Sequence, residues 1–247
     1  MCAGAIVACF ALCWAIWTRR LTLRPITERG KLTERTITAS LILQLCALFL
    51  MSPASNATVG RLMHAITGQW NLDDWEGHML YVSAAALIVV NIQSRLDLSH
   101  DEIRARFRRQ FELPMTVCVP VTLVLLTESD NADIEWLDLF DAPTDYFLDL
   151  YWTLIAGYVI YLLLKAAVAL DELRGDPRNR PTATIYLAGT LIGIAACLLH
   201  IFGTWTDAKG QGPWFWGAVS AAGITFAYGA GQSWRVKTRD TAPEALL

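Results

Sequence analysis

The sequence predicts an all-α fold: a polytopic integral membrane bundle of seven transmembrane helices, amino terminus outside and carboxyl terminus cytoplasmic. Three observations carry that expectation. Apolar residues make up 54% of the chain and charged residues only 17%, below the roughly 25% usual in soluble domains. Apolar runs recur throughout, most of them near the ~20 residues needed to cross a ~30 Å hydrocarbon layer. Finally, 18 of the 20 lysines and arginines fall in every second gap between those runs, at 19–35, 95–109, 165–180 and 235–239, leaving Arg61 and Lys209 in the others. Basic residues are retained on the cytoplasmic side during insertion, so this alternation sets the threading. The face with two bases also holds 12 of the 23 acids, so a net charge of −3 hides an acidic outer surface and a basic inner one.

The expected spans are 2–18, 36–53, 78–94, 113–127, 146–170, 182–205 and 213–233, making one transmembrane domain over 1–237 and a short tail at 238–247. The first has no basic region before it and Arg19-Arg20 directly after it, the reverse of a cleaved signal peptide, so it reads as a retained span with its amino terminus outside. The fourth is the shortest, with 15 largely apolar positions before Glu128, and Phe107 and Phe111 upstream extend it. Pro120 is expected to kink it. All six cysteines lie inside spans without a CxxC pair, as small packers or free thiols.

In lipid, helices meet through small residues and buried polar groups, because burying apolar surface gains nothing against an apolar solvent. The second span carries Thr36, Ser40, Gln44 and Ala47 at helical spacing, and the third carries Ala84, Asn91 and Ser94. The sixth holds Gly189 and Gly193 in a GxxxG frame continued by Ala196 and His200. The seventh offers two faces, Gly217/Ala221/Thr225 and Gly223/Ala227/Gly231. The plain consequence is helix packing. The sharper one is a polar interior formed by Gln44, Asn91 and His200. On the fifth span Tyr158 and Tyr161 share the general face of Lys165, which would extend a polar track inward, although a lysine near a span end also snorkels.

Three segments outside the spans have structure of their own. Ser99 and Glu102 form a capping box, followed by Ile103, Phe107 and Phe111 spaced by fours among Arg104, Arg106, Arg108 and Arg109. That is a basic amphipathic helix on the cytoplasmic interface, expected to contact anionic lipid headgroups rather than nucleic acid. On the outer side Val59, Leu62, Ile66 and Trp70 predict a helix lying on the membrane, and Ile134, Leu137 and Phe140 a third short one. Trp17 and Trp234 fall near inner boundaries, and Trp70, Trp75, Trp152, Trp205, Trp214 and Trp216 near outer ones, as an aromatic belt requires.

The densest chemistry is Asn71-Leu-Asp73-Asp74-Trp75-Glu76-Gly-His78 at the outer end of the third span. Asn71 is placed to cap the helix, and carboxylates in a first turn complement its dipole. His78 lies one turn beyond Asp74, with Tyr81 next along that face, and His200 belongs near the same boundary. Asp74, Glu76, His78, His200 and Asp149 are therefore the candidates for a ligand, proton or cation site. Two imidazoles beside carboxylates suit a divalent metal, a proton relay or a haem, but the paired histidines of multi-haem cytochromes are missing; the metal stays open and no cofactor is assigned. Asp145 and Asp149 suit a helix start capped by Thr144. The loop from Glu128 to Asp145 has seven carboxylates and no glycine, a solvated acidic face rather than a calcium loop. No lysine stands in the last span to bind retinal. HExxH, GxSxG and Walker signatures and paired intramembrane aspartates are all absent, so no enzyme is expected.

The run Leu62-Met-His-Ala-Ile-Thr-Gly68, then Asn71-Leu72 and an apolar helix holding His78, resembles a family of actinobacterial multi-pass proteins that carry a transporter label without an established activity. The resemblance extends to a Tyr-rich fifth span and a Gly/Ala-rich sixth span after a basic loop with Arg174, Arg178 and Arg180. Many members continue past seven spans into a cytoplasmic helical region. The resemblance therefore implies a membrane module in a bacterial plasma membrane that works with a membrane or cytoplasmic protein partner. The expected function is a membrane-embedded sensor or regulatory module acting through an outer ligand or that partner. The alternative is a small-solute or ion transporter, against which the lack of an inverted repeat counts.

Overall fold

The structure, a computed structural model, describes residues 9–16, 28–96, 98–143, 145–206 and 212–240, with 28–34 and 234–240 described as backbone only. Cys2, Trp17, Arg19-Arg20, Thr144, Lys209, the Trp234 side chain and the tail from 241 onward lie outside the described residues. Every regular element among those described is helical. They are α1 (9–16), α2 (Glu28–Leu50), α3 (Pro53–Ser55), α4 (Arg61–Thr67), α5 (Leu72–Gln93), α6 (His100–Phe107), α7 (Leu113–Thr127), α8 (Tyr146–Leu173), α9 (Arg180–Trp205) and α10 (Gly212–Asp240). Four helical stretches, α5, the joined α6–α7, α8 and α9, are long and apolar enough to cross a membrane, or five if the bent pair of α2 and the α3–α4 segment is one span. The chain is thus a helical membrane protein.

Local chemistry explains where elements begin, join and bend. Pro53 cannot donate to the carbonyl of Phe49, which instead accepts from the Ser52 hydroxyl at 2.6 Å and the Ser52 N–H at 3.0 Å. The chain turns there by 63° and runs on through a π-helical turn at Asn56–Gly60 into α4. Leu62 and Ile66 on α4 remain exposed, the amphipathic surface expected of that segment. The capping box at Ser99 and Glu102 forms as anticipated. However, the basic amphipathic segment is not a separate helix. Through a π-helical turn at Arg108–Glu112 it runs directly into α7, giving one 28-residue helix. At ~1.5 Å per residue that is about 42 Å, which removes the shortfall of the fourth span. Pro120 sits inside α7 without ending it.

Five helices pack in a ring, α2 on α5, α5 on α8, α8 on α9, α9 on α10, and α10 back on α2, while α7 lies outside on α8. The buried stripe of α2 is the one the spacing indicated: Thr36, Ser40, Gln44 and Ala47, with the Ser40 hydroxyl donating to the Ala84 carbonyl of α5 at 3.0 Å. Gly77 is a close approach between these helices, since a Cβ there would meet Met51 Cγ at 2.6 Å and the Ala47 carbonyl at 3.2 Å. The GxxxG frame of α9 serves two neighbours, Gly189 facing Thr225 of α10 and Gly193 facing Leu163 of α8. On α10 the buried face is Gly223, Ala227 and Gly231, whereas Gly217 and Ala221 are exposed. Trp14 of α1 reaches the Gly231 position. At the end of the ring bearing the basic residues, Arg95 donates to Asn91 and to Ser233 of α10, and Asn91 donates to Thr36 of α2.

Candidate functional site

Inside the ring is a cavity of about 80 Å³. Its lining runs along α5 from His78 to Ile88, along α8 from Trp152 to Leu163 and along α10 from Phe215 to Phe226, with Gln44 of α2 and Gly193, Cys197 and His200 of α9. Eleven or twelve residues of helix span about 15 Å at a rise of ~1.5 Å per residue, so the space is a narrow slot parallel to the helices. His78 and His200 stand together at its acidic end, both packed against one aromatic group. Their ring centroids lie 4.9 Å and 4.8 Å from that of Trp152, both edge-on. Both imidazoles are buried. His78 Nδ1 shares a 2.7 Å hydrogen bond with the Tyr151 hydroxyl, while His78 Nε2 and both ring nitrogens of His200 have no hydrogen-bond partner.

The acidic loop forms the roof of this slot. Leu139 is 1% exposed, and Phe140 stacks on Trp152 at 4.3 Å and touches the rings of Phe215 at 4.5 Å, His200 at 5.0 Å and Trp216 at 5.5 Å. Ile134 and Leu137 are exposed, so the apolar residues that anchor the loop are Leu139 and Phe140 instead of the expected membrane-facing triad. Two asparagines hold the loop down and a third, Asn131, closes it on itself. Asn71 donates to the Ile134 carbonyl at 3.0 Å and accepts from the Trp136 N–H at 3.1 Å; Asn56 donates to the Trp136 carbonyl at 2.6 Å; Asn131 donates to the Pro143 carbonyl at 2.8 Å. Asn71 therefore does not cap α5 as anticipated. Its backbone is left-handed, φ 60°, and its side chain makes no cap bond, being turned onto the lid. The indole of Trp216 donates to Asp138 at 2.8 Å, tying lid to α10.

Asp145 caps α8, its carboxylate accepting from the N–H groups of Phe147 and Leu148 and from the Ser129 hydroxyl. Partial burial raises its pKa, but these bonds to the ionised form outweigh that and hold it below the usual carboxylate value. Asp138 behaves oppositely: burial pushes its pKa up, beyond what the bonds from Phe140 and Trp216 recover. A depressed folded pKa contributes stability that is complete above the unfolded value near 4 and is lost as pH falls through the folded value. Asp145→Ala is therefore expected to lose about 1–2 kcal/mol at pH 7. The gap to wild type should close as the pH is lowered below about 4, read by thermal melts of the protein in nanodiscs. A gap independent of pH would rule out the ionised carboxylate as the cause.

Of the residues singled out from sequence, His78, His200 and Gln44 line the slot. Asp74 is buried beneath the lid, accepting from the Leu139 N–H, and Asp73 accepts from Ser55 at 3.1 Å. Glu76 and Asp149 are half-buried and lie outside the lining. Asn91 is buried at the basic end, away from the slot. The supposed polar track does not form. Tyr158 donates to the carbonyls of Gln110 and Phe111 beside the π-helical turn, and Lys165 is exposed on the outside of α8, 5.3 Å from the Tyr161 ring. The slot ends instead among Ile88, Leu163 and Phe226. Arg104, Arg108 and Arg109 are exposed and Arg106 half-buried on the amphipathic segment. Among the described residues no three His, Cys, Asp or Glu side chains converge as metal ligands.

Sequence reasoning missed Phe140, Trp152, Phe215 and Trp216 as parts of the site. Their position in the sequence places Trp152 and Trp216 in the belt, yet they are 3% and 8% exposed, while Trp214 and Trp205 are exposed as a belt requires. A usable signal was present in α10, where Trp216, Val219, Ala222 and Phe226 recur at helical spacing. Comparison with protein-family models, with curated proteins and with solved structures gives no match.

Proposed function

We propose that the chain is a seven-span sensor or regulatory module of the plasma membrane, amino terminus outside, whose slot takes a ligand under the outer lid and whose basic cytoplasmic face meets a protein partner. The observation that supports this reading is the slot: roofed by Phe140, furnished with two buried histidines at that end, and ending in apolar side chains at the other. A transporter needs a route between its two faces, and the residues thought to extend one, Tyr158 and Lys165, point elsewhere. The basic segment around Arg104 and Arg108 adds a surface for anionic headgroups and for a partner.

The test places a photo-crosslinking amino acid at Arg104 or Arg108 in the native host and repeats the experiment with the slot-filling variant Ala156→Leu. The expected result is a discrete partner adduct whose yield changes several-fold when the slot is filled. No adduct with either protein, together with solute uptake into proteoliposomes above empty vesicles, would overturn the sensor reading in favour of transport.

A further inference from the structure

We infer that the slot binds an uncharged, single-chain amphiphile drawn from the bilayer, with a carbonyl oxygen at its head against His78 and its chain lying toward Leu163 and Phe226. This rests on the proposed ligand-binding role and names the ligand's chemistry.

The head is specified by the hydrogen-bond inventory at the acidic end. A buried phenol hydroxyl that donates to nothing is costly, and His78 Nδ1 is the partner that Tyr151 has, at 2.7 Å. With Tyr151 donating, His78 carries its proton on Nε2, the atom left without a partner inside the slot. The opposite tautomer leaves a phenol donor and an imidazole lone pair both unsatisfied, so it is the worse arrangement. His78 therefore offers an N–H, and His200, whose two ring nitrogens are both unpartnered, offers one donor and one acceptor. An ester, amide or carboxylic acid head in its neutral form satisfies such donors.

The chain is specified by shape. The slot, about 80 Å³ spread along about 15 Å of helix, is single-file space that takes a slender chain lengthwise, with no room for a fused ring system or a macrocycle. Below the histidines its walls include Val82, Ile88, Ala156, Val159 and Leu163, which suit methylene groups, with Gln44 of α2 as a polar side chain among them. Charge is excluded on two grounds. No charged side chain is in the lining, so an ion of either sign would lose its hydration with no counter-ion in contact. An anion would also approach Asp73, Asp74 and Asp138, which flank the lid. The polarity of the slot, polar end beside the acidic lid and apolar end toward the membrane centre, matches a molecule lying in one leaflet. Phe140 and the lid block entry along the axis, which leaves a sideways route between helices as the way in from lipid.

The experiment uses the full chain in phosphatidylcholine nanodiscs and a dodecanoic amide bearing a terminal diazirine. Irradiation is expected to place the adduct on the peptides containing Leu163 and Phe226. Methyl dodecanoate should compete at least about tenfold better than dodecane or dodecyltrimethylammonium. Ala156→Leu and, separately, Ala222→Leu should abolish labelling while the melting temperature confirms a folded protein. His78→Phe should retain labelling yet remove the preference for the ester over the alkane. Adducts confined to lipid-facing positions such as Val117 and Val124, or labelling indifferent to both slot-filling variants, would overturn the inference. If the amphiphile fails while Ala156→Leu still alters the partner adduct, the ligand class falls and the sensor reading stands. If the amphiphile binds but no partner adduct forms, the reverse holds.

Discussion

Asn71→Ala is expected to unfasten the lid and lower the melting temperature by about 10 °C. The side chain satisfies the Ile134 carbonyl and the Trp136 N–H, with a longer contact of 3.5 Å to the Asn131 carbonyl. Both backbone groups are only partly buried, so leaving them without partners costs toward the lower end of the usual range, about 1–1.5 kcal/mol each. Alanine adds a second cost, because Asn71 has φ 60°, a left-handed conformation that asparagine and glycine tolerate at roughly 1–2 kcal/mol less than alanine. The sum is about 3–5 kcal/mol, and roughly 2–4 °C of melting temperature accompany each kcal/mol in a protein of this length. Asn71→Gly separates the contributions, since it removes the bonds and keeps the backbone relaxed. Its melting temperature should fall between those of wild type and Asn71→Ala. Equal losses for the two variants would show that the left-handed backbone is not a constraint, and no loss in either would mean the lid is held elsewhere.

Gly77→Ala is expected to cost about 2–3 kcal/mol by overpacking, and Gly77→Val more. The reason is which atom stands in the way. Met51 Cγ, 2.6 Å from the new Cβ, belongs to a flexible side chain and can swing aside. The Ala47 carbonyl at 3.2 Å is helix backbone and cannot, so α5 must move away from α2. That movement would carry His78, one residue on, out of register with Trp152 and Phe140. Gly157→Ala on α8 is the control. A Cβ there meets nothing within 4 Å, and the gain in helix propensity, up to ~1 kcal/mol, should leave that variant as stable as wild type or slightly more so. Melts of both variants in nanodiscs, with amphiphile labelling as a second readout, test the pair. Matching behaviour at the two glycines would refute close α2–α5 contact.

Much of the fold was legible because its cause is local or periodic. The stripe Thr36, Ser40, Gln44 and Ala47 is buried, as small and polar residues in lipid should be, and so is one of the two faces that α10 offers, Gly223, Ala227 and Gly231. The capping box at Ser99 formed because its partners are three residues apart. Lys165 was misplaced because sharing a helix face with Tyr158 and Tyr161 says nothing about which neighbour covers that face. Here α8 buries Tyr158 against the Gln110 turn and leaves Tyr161 and Lys165 outside. Asn71 was misread for a related reason. Its position before a helix fits a cap, but only the distant segment 131–136 supplies the partners it uses.

Composition, charge alternation and the period of small residues were enough to determine a helical membrane protein and which face of α2 turns inward, but not that α10 buries Gly223, Ala227 and Gly231 and exposes Gly217 and Ala221. They also brought forward His78 and His200 as candidates. Tertiary structure alone decided that these two histidines share one slot, that the slot is narrow and apolar, and that an acidic loop closes over it through Phe140. The physical reason is range. Hydropathy and helix periodicity are properties of one segment in contact with solvent or lipid, and they can be summed along the chain. A cavity is the space left where five helices and a loop fail to touch, and its polarity depends on which nitrogen atoms go without partners once every other contact has formed.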